Sequence, residues 1–295
     1  MCKFIITGAT GFIGTHLCKR LLKENHHIAI ICRKNSNLKP LESILNKIEI
    51  FYYESNMKDM INFFSTIKPD AVFHLASSVL SEHKFDDIPI LIDSNIKFST
   101  QVLEAMRISG VKYIINTGTC LQHYNNEDYN PSCLYAATKQ AFEDILKYYI
   151  EAYDFKSLTL TLFNVYGKDD SGNRLLSSLY KSSVNGCQLK MSYGYQKIDL
   201  VYIDDVIDAY IHSYNILKDK SYINNQCYAV CTERLVTLRE LVSIYEKENN
   251  VKLNIAWGAK NYRLREVFMP WRNYTLLPGW KSKVSLEDGI KKFSS

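Results

Sequence analysis

Three glycines at intervals of three residues follow a short apolar stretch near the N-terminus, and they constrain the fold more than any other feature. The stretch runs from Phe4 to Thr7, and the chain continues as Gly8-Ala9-Thr10-Gly11-Phe12-Ile13-Gly14 into a helical pattern over 12–22. In this setting glycines let the backbone approach a pyrophosphate, and the helix N-terminus offers N–H groups to its charge. The spacing is wider than Gly-x-Gly-x-x-Gly. We therefore predict that this turn binds a dinucleotide, through Gly8, Thr10, Gly11, Phe12, Ile13 and Gly14.

Short apolar runs alternate with helical patterns through the first half of the chain, which is typical of a parallel sheet covered by helices. Further strands are predicted at Ile28 to Cys32, Ile48 to Tyr53, Ala71 to Leu75, Tyr113 to Thr117 and Leu158 to Leu162. Helices are predicted near Met57 to Phe64, Ile92 to Met106 and Tyr135 to Tyr153. The fold class is therefore α/β, a Rossmann-type doubly wound parallel sheet with a smaller C-terminal substrate-binding lobe.

The alternation ends after Gly167, where the chain becomes more polar and richer in glycine and serine. We predict a dinucleotide-binding domain over residues 1–166, to which residues 199–216 return. Residues 167–198 and 217–295 are predicted to form the smaller lobe.

Composition and charge exclude several other classes of protein. The net charge is +5 over 295 residues, and Lys and Arg are spread along the chain instead of forming a patch for nucleic acid. No apolar run reaches the length of a membrane span, and no signal-peptide pattern precedes the first strand. The eight cysteines are scattered without metal-type pairing. We expect a cytoplasmic protein without a metal, whose partner is an acidic small molecule.

Tyr135 and Lys139 are four residues apart in a predicted helix, so both side chains lie on one face. A free phenol has a pKa near 10, and a neighbouring cation favours the phenolate and brings it into the range of acid/base catalysis. With the glycine turn, this pair predicts a phenol that transfers a proton beside a nicotinamide cofactor.

The end of the second strand bears on the choice of cofactor. NAD sites usually offer an acidic residue to the ribose hydroxyls here, whereas this chain has Cys32-Arg33-Lys34. Two cations suit a 2′-phosphate, so Arg33 and Lys34 favour NADP(H). NAD(H) remains an alternative, in which the same charges belong to a solvated turn.

Further motifs follow the glycine turn in order: His74-Leu75-Ala76, Tyr135-x-x-x-Lys139, Phe163-Asn164-Val165-Tyr166-Gly167, Tyr202-Ile203-Asp204-Asp205-Val206 and Pro278-Gly279-Trp280-Lys281. With them the chain resembles the extended short-chain dehydrogenases/reductases over almost its whole length. Within that superfamily it resembles the NAD(P)-dependent nucleotide-sugar epimerases, dehydratases and 4-keto reductases, and most of all the reductases of the CDP-abequose synthase type. A nucleotide-diphosphate sugar is therefore the expected substrate.

The resemblance assigns roles to individual residues. Tyr135 would be the general acid/base at a sugar oxygen, and Lys139 would hold the nicotinamide ribose and lower the phenol pKa. Thr119 would hydrogen-bond the same oxygen, although Thr117 remains an alternative because the alignment can slip around Gly118. Further contacts to the cofactor are implied for residues that follow strand ends, namely Asn56, Met57, Leu75, Ala76, Ser77, Thr117 and Leu162.

For the substrate, the resemblance implies binding by Asn164 and by Arg265, the latter at the nucleotide diphosphate. One departure concerns Lys197-Ile198-Asp199, where the family commonly has Arg-Asp, so that Ile198 replaces a phosphate-binding arginine. Lys197 can compensate as a point charge, although without bidentate geometry. The usual arginine near Thr161 is missing as well.

Dehydratases of this family place Asp-Glu directly after the catalytic threonine, whereas this chain has Cys120-Leu121. Elimination is therefore disfavoured, and NAD(P)H-dependent 4-keto reduction is the favoured reaction. A 4-epimerase or 4-dehydrogenase that retains NAD(H) is the alternative, and a non-catalytic nucleotide-binding protein is a third possibility. Family members often dimerise through helices that correspond to residues 92–106 and 135–153, so a homodimer is possible.

Overall fold

The computed structural model describes residues 1–170 and 174–294. Its strands are β1 Lys3–Thr7, β2 His27–Arg33, β3 Ile48–Tyr53, β4 Ala71–His74, β5 Tyr113–Thr119, β6 Lys156–Leu162, β7 Asn164–Tyr166, β8 Leu189–Lys190, β9 Lys197–Ile198, β10 Leu200–Tyr202, β11 Gln226–Val230, β12 Val236–Thr237 and β13 Ile255–Ala256. Its α-helices are α1 Phe12–Lys23, α2 Met57–Ile67, α3 Ile88–Ile92, α4 Phe98–Ser109, α5 Leu134–Tyr153, α6 Leu175–Asn185, α7 Ile203–Leu217, α8 Leu238–Asn249 and α9 Leu286–Ser294.

Within the described residues, seven strands form one sheet in the order β11-β6-β5-β4-β1-β2-β3. Strand β1 pairs in parallel with β2 and β4, β2 pairs with β3, and β4 pairs with β5. The order reverses between β1 and β4, which is the topological switch point of a doubly wound sheet. The predicted α/β fold with a parallel sheet is confirmed.

The central strands read as continuous apolar runs because helices cover both faces of a parallel sheet. Phe4, Ile5 and Ile6 of β1 are all buried, as are Ile28 and Ile30 of β2. Since the inner residues of such a strand are buried on both faces, they show no alternation of polar and apolar residues. The five strands predicted after the first one match β2 to β6 to within two residues at each end.

One predicted helix differs from the structure. Instead of a continuous helix over 92–106, α3 ends at Ile92, a π-helical turn spans Asp93–Lys97, and α4 begins at Phe98. The residues on either side of the π-helical turn each keep ordinary helical spacing, so neither part by itself gives a sign of the turn between them.

The chain divides into two compact units. The first comprises Met1–Thr119, Cys133–Thr161 and Ile207–Tyr228, and the second comprises Cys120–Ser132, Leu162–Val206 and Ala229–Ser295. The division predicted from sequence differs, because it assigns 120–132, 162–166 and 199–206 to the dinucleotide-binding part and 217–228 to the lobe.

Hydrogen bonds within the first unit explain why residues 217–228 belong to it. The Ser157 N–H donates to Asn224 Oδ1 at 2.8 Å, and the Asn225 N–H donates to the Ser157 carbonyl at 3.0 Å. The Tyr222 hydroxyl donates to the same carbonyl at 2.9 Å. This segment is therefore fixed along β6 before β11 extends the sheet.

In the second unit, two of the recognised motifs are joined by hydrogen bonds. Asp205 Oδ2 accepts from the backbone N–H groups of Lys283 and Val284, both at 3.0 Å. The Trp280 indole N–H donates to the Asp205 carbonyl at 3.0 Å. The Asp205 side chain is 2% exposed, so its charge depends on these donors. The Asp-Asp and Pro-Gly-Trp motifs therefore hold the C-terminal segment in place.

In residues 1–170 and 174–294, no helix combines the length and the apolar character needed to cross a membrane. The same part of the chain brings no three His, Cys, Asp or Glu side chains together in an arrangement that could hold a metal ion.

Candidate functional site

The glycine turn after β1 packs so closely against neighbouring backbone that Gly8 and Gly14 leave no room for a side chain. Gly8 has φ +71°, and a Cβ added to it would lie 2.7 Å from both Ala76 N and Leu75 C. A Cβ on Gly14 would lie 2.2 Å from the Gly8 carbonyl oxygen. Gly11 caps α1 without a side-chain hydrogen bond. A dinucleotide pyrophosphate would fit this cradle, because its tight glycine turn leads into the N-terminus of α1, and the backbone N–H groups of a helix N-terminus bind anions.

The other cofactor residues predicted from sequence follow strand ends. Leu75, Ala76 and Ser77 come directly after β4, and the N–H groups of Leu75 and Ala76 donate to the Thr7 carbonyl at 3.3 Å and the Thr7 hydroxyl at 3.2 Å. They therefore lie beside the glycine turn, as expected for residues at the switch point. Leu162 is the last residue of β6.

Asn56 and Met57 stand at the start of α2. Asn56 caps this helix by accepting from the Lys58 N–H at 3.0 Å, and its amide donates to Asp59 at 2.7 Å. Met57 is the first residue of the helix. The Asn56 side chain is thus engaged in its own helix cap, and a contact of this residue with a cofactor stays a prediction.

The two cations predicted to favour NADP(H) differ in their surroundings. Arg33 ends β2 and is exposed. Lys34 Nζ lies 3.2 Å from Glu54 Oε1, and both side chains are largely exposed. Because Lys34 already faces a carboxylate, Arg33 is the stronger candidate to contact a 2′-phosphate.

Tyr135 and Lys139 lie in the first two turns of α5, which begins at Leu134. Tyr135 is 7% exposed and Lys139 is 2% exposed. Burial lowers the pKa of Lys139 to about 8, and Glu143 opposes this shift. With a pKa of about 8, Lys139 is mainly protonated at pH 7, and it follows Tyr135 by one helical turn.

The structure distinguishes between the two threonines at the end of β5. The Thr117 hydroxyl donates to the His74 carbonyl at 2.9 Å and lies 2.7 Å from the Tyr210 hydroxyl, which donates to it. The single proton of Thr117 is therefore committed to a backbone carbonyl. Thr119 is the last residue of β5 and is 7% exposed. This favours Thr119 as the catalytic hydroxyl, which stays a prediction.

A residue that the sequence did not reveal, Asn95, ties the loop after β4 to the helix that carries Tyr135. Its Oδ1 accepts from the Ser77 hydroxyl at 2.9 Å and the Ser78 N–H at 2.7 Å. Its Nδ2 donates to the Ser78 carbonyl at 3.0 Å and the Thr138 hydroxyl at 2.9 Å. Thr138 in turn donates to the Tyr135 carbonyl at 2.7 Å. The π-helical turn places Asn95 in this network.

We expect Asn95→Asp to destabilise the protein. The two acceptor contacts are retained, but a carboxylate cannot donate to Ser78 or Thr138 and is 2% exposed at this position. The free energy of unfolding should fall by about 1–3 kcal/mol, measured by urea denaturation. The control is Asn62→Asp on the exposed side of α2, where the same change should stay within about 0.5 kcal/mol. Equal effects in both variants would contradict the role of Asn95.

The residues predicted to bind substrate lie in the second unit. Asn164 begins β7 and donates through its backbone and side-chain N–H groups to the Asp199 carbonyl, both at 3.2 Å. Lys197 begins β9, and its N–H donates to the Phe268 carbonyl at 2.9 Å. Asp199 is buried and accepts from the Thr232 N–H and hydroxyl at 2.9 Å each. Burial raises the pKa of its carboxyl to about 6.

Arg265 is held by the loop between β5 and α5. Its guanidinium carbon lies 4.3 Å from the centre of the Tyr124 ring, and its Nη2 donates to Asn130 Oδ1. Its Nε is buried without a hydrogen-bond partner among the described residues. The same loop stacks His123 on Trp271 with ring centres 3.7 Å apart. Whether Arg265 contacts a diphosphate stays a prediction.

Comparison with known proteins agrees with this arrangement. Residues 4–222 match the model of a family described as the NAD dependent epimerase/dehydratase family. The chain is 28% identical to the CDP-abequose synthase of Salmonella muenchen, over 99% of this chain and 97% of the relative. Among solved structures it is similar to a UDP-glucose 4-epimerase from Thermotoga maritima, with TM-score 0.85 and 23% identity over 99% of this chain and 97% of the other. A UDP-glucuronic acid 4-epimerase from Bacillus cereus has TM-score 0.84 and 24% identity over 98% and 97% of the two chains. At these identities the two structures support the fold alone.

Proposed function

The chain belongs to the NAD dependent epimerase/dehydratase family, and we propose that within it the protein reduces the 4-keto group of a nucleotide-linked deoxysugar with NADPH. The family expected from the sequence motifs is confirmed. The observation that carries the proposal is the buried pair of Tyr135 and Lys139 in the same unit as the glycine cradle. A protein that only bound nucleotides would have no need of a phenol beside a cation.

In the proposed reaction Tyr135 donates its phenolic proton to the sugar O4 as negative charge develops there. Lys139 stabilises the resulting phenolate, because its ammonium form persists at neutral pH. Thr119 donates a hydrogen bond to the same oxygen. A nicotinamide dinucleotide, when bound, supplies the hydride. Asn164, Lys197 and Arg265 are proposed to bind the nucleotide part of the substrate.

Two observations favour reduction over elimination. Cys120-Leu121 follows Thr119, so the chain offers no acid and base pair at these positions for the loss of a hydroxyl. A second CDP-abequose synthase, from Yersinia pseudotuberculosis, is 27% identical over 98% of this chain and 100% of the relative. Full-length similarity to two proteins of that name supports a reductase acting on a CDP-linked sugar.

A 4-epimerase or 4-dehydrogenase that retains NAD(H) is the second candidate. The same three residues would support it, because reversible proton transfer at O4 serves oxidation as well as reduction. The similar structures described above bear the names of UDP-sugar 4-epimerases. Retention of the dinucleotide through purification would distinguish this candidate.

The test is to incubate the purified protein with NADPH or NADH and CDP-, UDP- or dTDP-linked 4-keto-6-deoxyglucose, and to follow absorbance at the nicotinamide band. We expect consumption of NADPH with the CDP-linked sugar, and slower consumption of NADH because Arg33 suits the 2′-phosphate. Failure with every sugar, together with NAD(H) bound to the purified protein, would contradict the reductase in favour of the second candidate. Failure to bind any dinucleotide would favour a non-catalytic protein.

A further inference from the structure

A chain of buried polar groups joins the ends of β1 and β4 to the start of α4. His74 Nδ1 lies 2.9 Å from the Thr7 hydroxyl, and His74 Nε2 lies 2.9 Å from the Ser99 hydroxyl. The Ser99 hydroxyl lies 3.5 Å from the Ser94 carbonyl, and the Ala76 N–H donates to Thr7 at 3.2 Å. Thr7, His74 and Ser99 are at most 1% exposed. Each of these groups therefore depends on the others for its hydrogen bonds.

The Ser94 carbonyl sets the direction of the hydrogen bonds among these buried polar groups. The Ser94 carbonyl can only accept, so Ser99 donates its proton there and accepts from His74 Nε2. Nε2 then carries the imidazole proton, and Nδ1 is the acceptor. At the other end, Thr7 accepts from the Ala76 N–H and donates its own proton to Nδ1. One neutral tautomer of His74 satisfies all four bonds.

The charge of Lys139 also favours the neutral form of the His74 imidazole. Burial, together with the Lys139 ammonium, lowers the pKa of His74 to about 3. A protonated imidazole would place a second cation near Lys139 in a buried region, where the repulsion of like charges is strong. The neutral ring leaves Lys139 as the cation that acts on the phenol.

We propose that His74, as the neutral tautomer protonated on Nε2, is a positioning residue that holds the dinucleotide cradle closed. Thr7 directly precedes Gly8, and His74 directly precedes Leu75 and Ala76. The backbone of Gly8 approaches these two residues so closely that a Cβ would lie 2.7 Å from either. The Thr7–His74 and Thr7–Ala76 bonds fix this approach from within the sheet. The inference rests on the dinucleotide site of the proposed function.

Binding of NADPH and NADH to variants tests the proposal. His74→Phe keeps an aromatic ring but leaves Thr7 and Ser99 without their partner, so we expect the dissociation constants to rise by about tenfold or more. His74→Asn retains an acceptor near the position of Nδ1 and should recover part of the affinity. His27→Asn is the matched control, because His27 is exposed at the amino end of β2, whereas Thr7 and His74 lie at the carboxyl ends of their strands. It should leave both dissociation constants unchanged.

A second measurement uses the unaltered protein, and folded His74→Asn serves only to assign the His74 signals. In long-range ¹H–¹⁵N spectra, the His74 signals are identified by their loss in His74→Asn. We expect one protonated nitrogen, Nε2, with no change between about pH 5 and pH 8, where an ordinary histidine titrates. Protonation on Nδ1, or titration within that range, would overturn the proposal.

The outcomes also separate this proposal from the proposed function. If the unaltered protein binds neither NADPH nor NADH, the proposed function fails. If it binds them and folded His74→Phe binds them equally well, only the role of His74 is wrong.

Discussion

Tyr135→Phe is expected to abolish turnover while leaving dinucleotide affinity almost unchanged. The substitution removes the hydroxyl and keeps the ring that packs at this buried position, 7% exposed. A general acid contributes about 10²–10⁴-fold to a rate, so kcat should fall by at least that factor. Lys139 and the glycine cradle remain intact. Steady-state kinetics with NADPH and the best 4-keto sugar give kcat, and fluorescence titration gives the dissociation constant of NADPH.

The control is Tyr148→Phe in the same helix, where the side chain is 57% exposed. It makes the same chemical change away from the proposed site, and its kcat should match that of the unaltered protein. If Tyr135→Phe retained more than about a tenth of the rate, the assignment of Tyr135 as the acid would be wrong.

Gly14→Ala is expected to prevent dinucleotide binding and to destabilise the first unit. The new Cβ would lie 2.2 Å from the Gly8 oxygen, 2.7 Å from Ala9 Cα and 2.8 Å from Gly8 C, all of them backbone atoms. A flexible side chain could move away from such a contact, but this turn can yield only by opening. We expect an increase of the NADPH dissociation constant on the order of 100-fold, or about 2.7 kcal/mol. The free energy of unfolding should fall by about 1–3 kcal/mol.

Gly110→Ala is the matched control for the loss of a glycine. Gly110 caps α4 at φ +77°, and nothing lies within 4 Å of its added Cβ. This variant should cost about 1–2 kcal/mol of stability through backbone strain and leave NADPH affinity unchanged. Equal NADPH affinity in folded Gly14→Ala and in the unaltered protein would show that the cradle tolerates a side chain, contrary to our interpretation.

Most of the fold could be predicted from local patterns in the sequence. The strands β1, β2 and β4 are apolar runs whose burial follows from their own sequence, and α5 follows from its helical periodicity. The π-helical turn at Asp93–Lys97 was missed, because the segments before and after it each have ordinary helical spacing. Strand β11 was missed too, since Gln226–Val230 is short and becomes a strand only through its pairing with β6.

In the candidate site, the residues that were predicted have partners close in sequence. Those that were missed have partners far away in sequence. Gly8 and Gly14, or Tyr135 and Lys139, are recognisable because their spacing is local. Asn95 was missed because its acceptor Thr138 is 43 residues away. A short polar side chain in a helical pattern gives no sign of such a contact.

The sequence by itself determined the parallel α/β sheet, the position of the glycine turn and the pair of Tyr135 and Lys139, because periodicity and short spacings fix these features. Only the tertiary structure decided what the hydroxyls and the imidazole do. Thr117 is engaged by Tyr210, 93 residues away, and His74 is held between Thr7 and Ser99, 67 and 25 residues away. The role of a polar side chain depends on which donor or acceptor it contacts in the buried core. The fold of the whole chain determines those contacts.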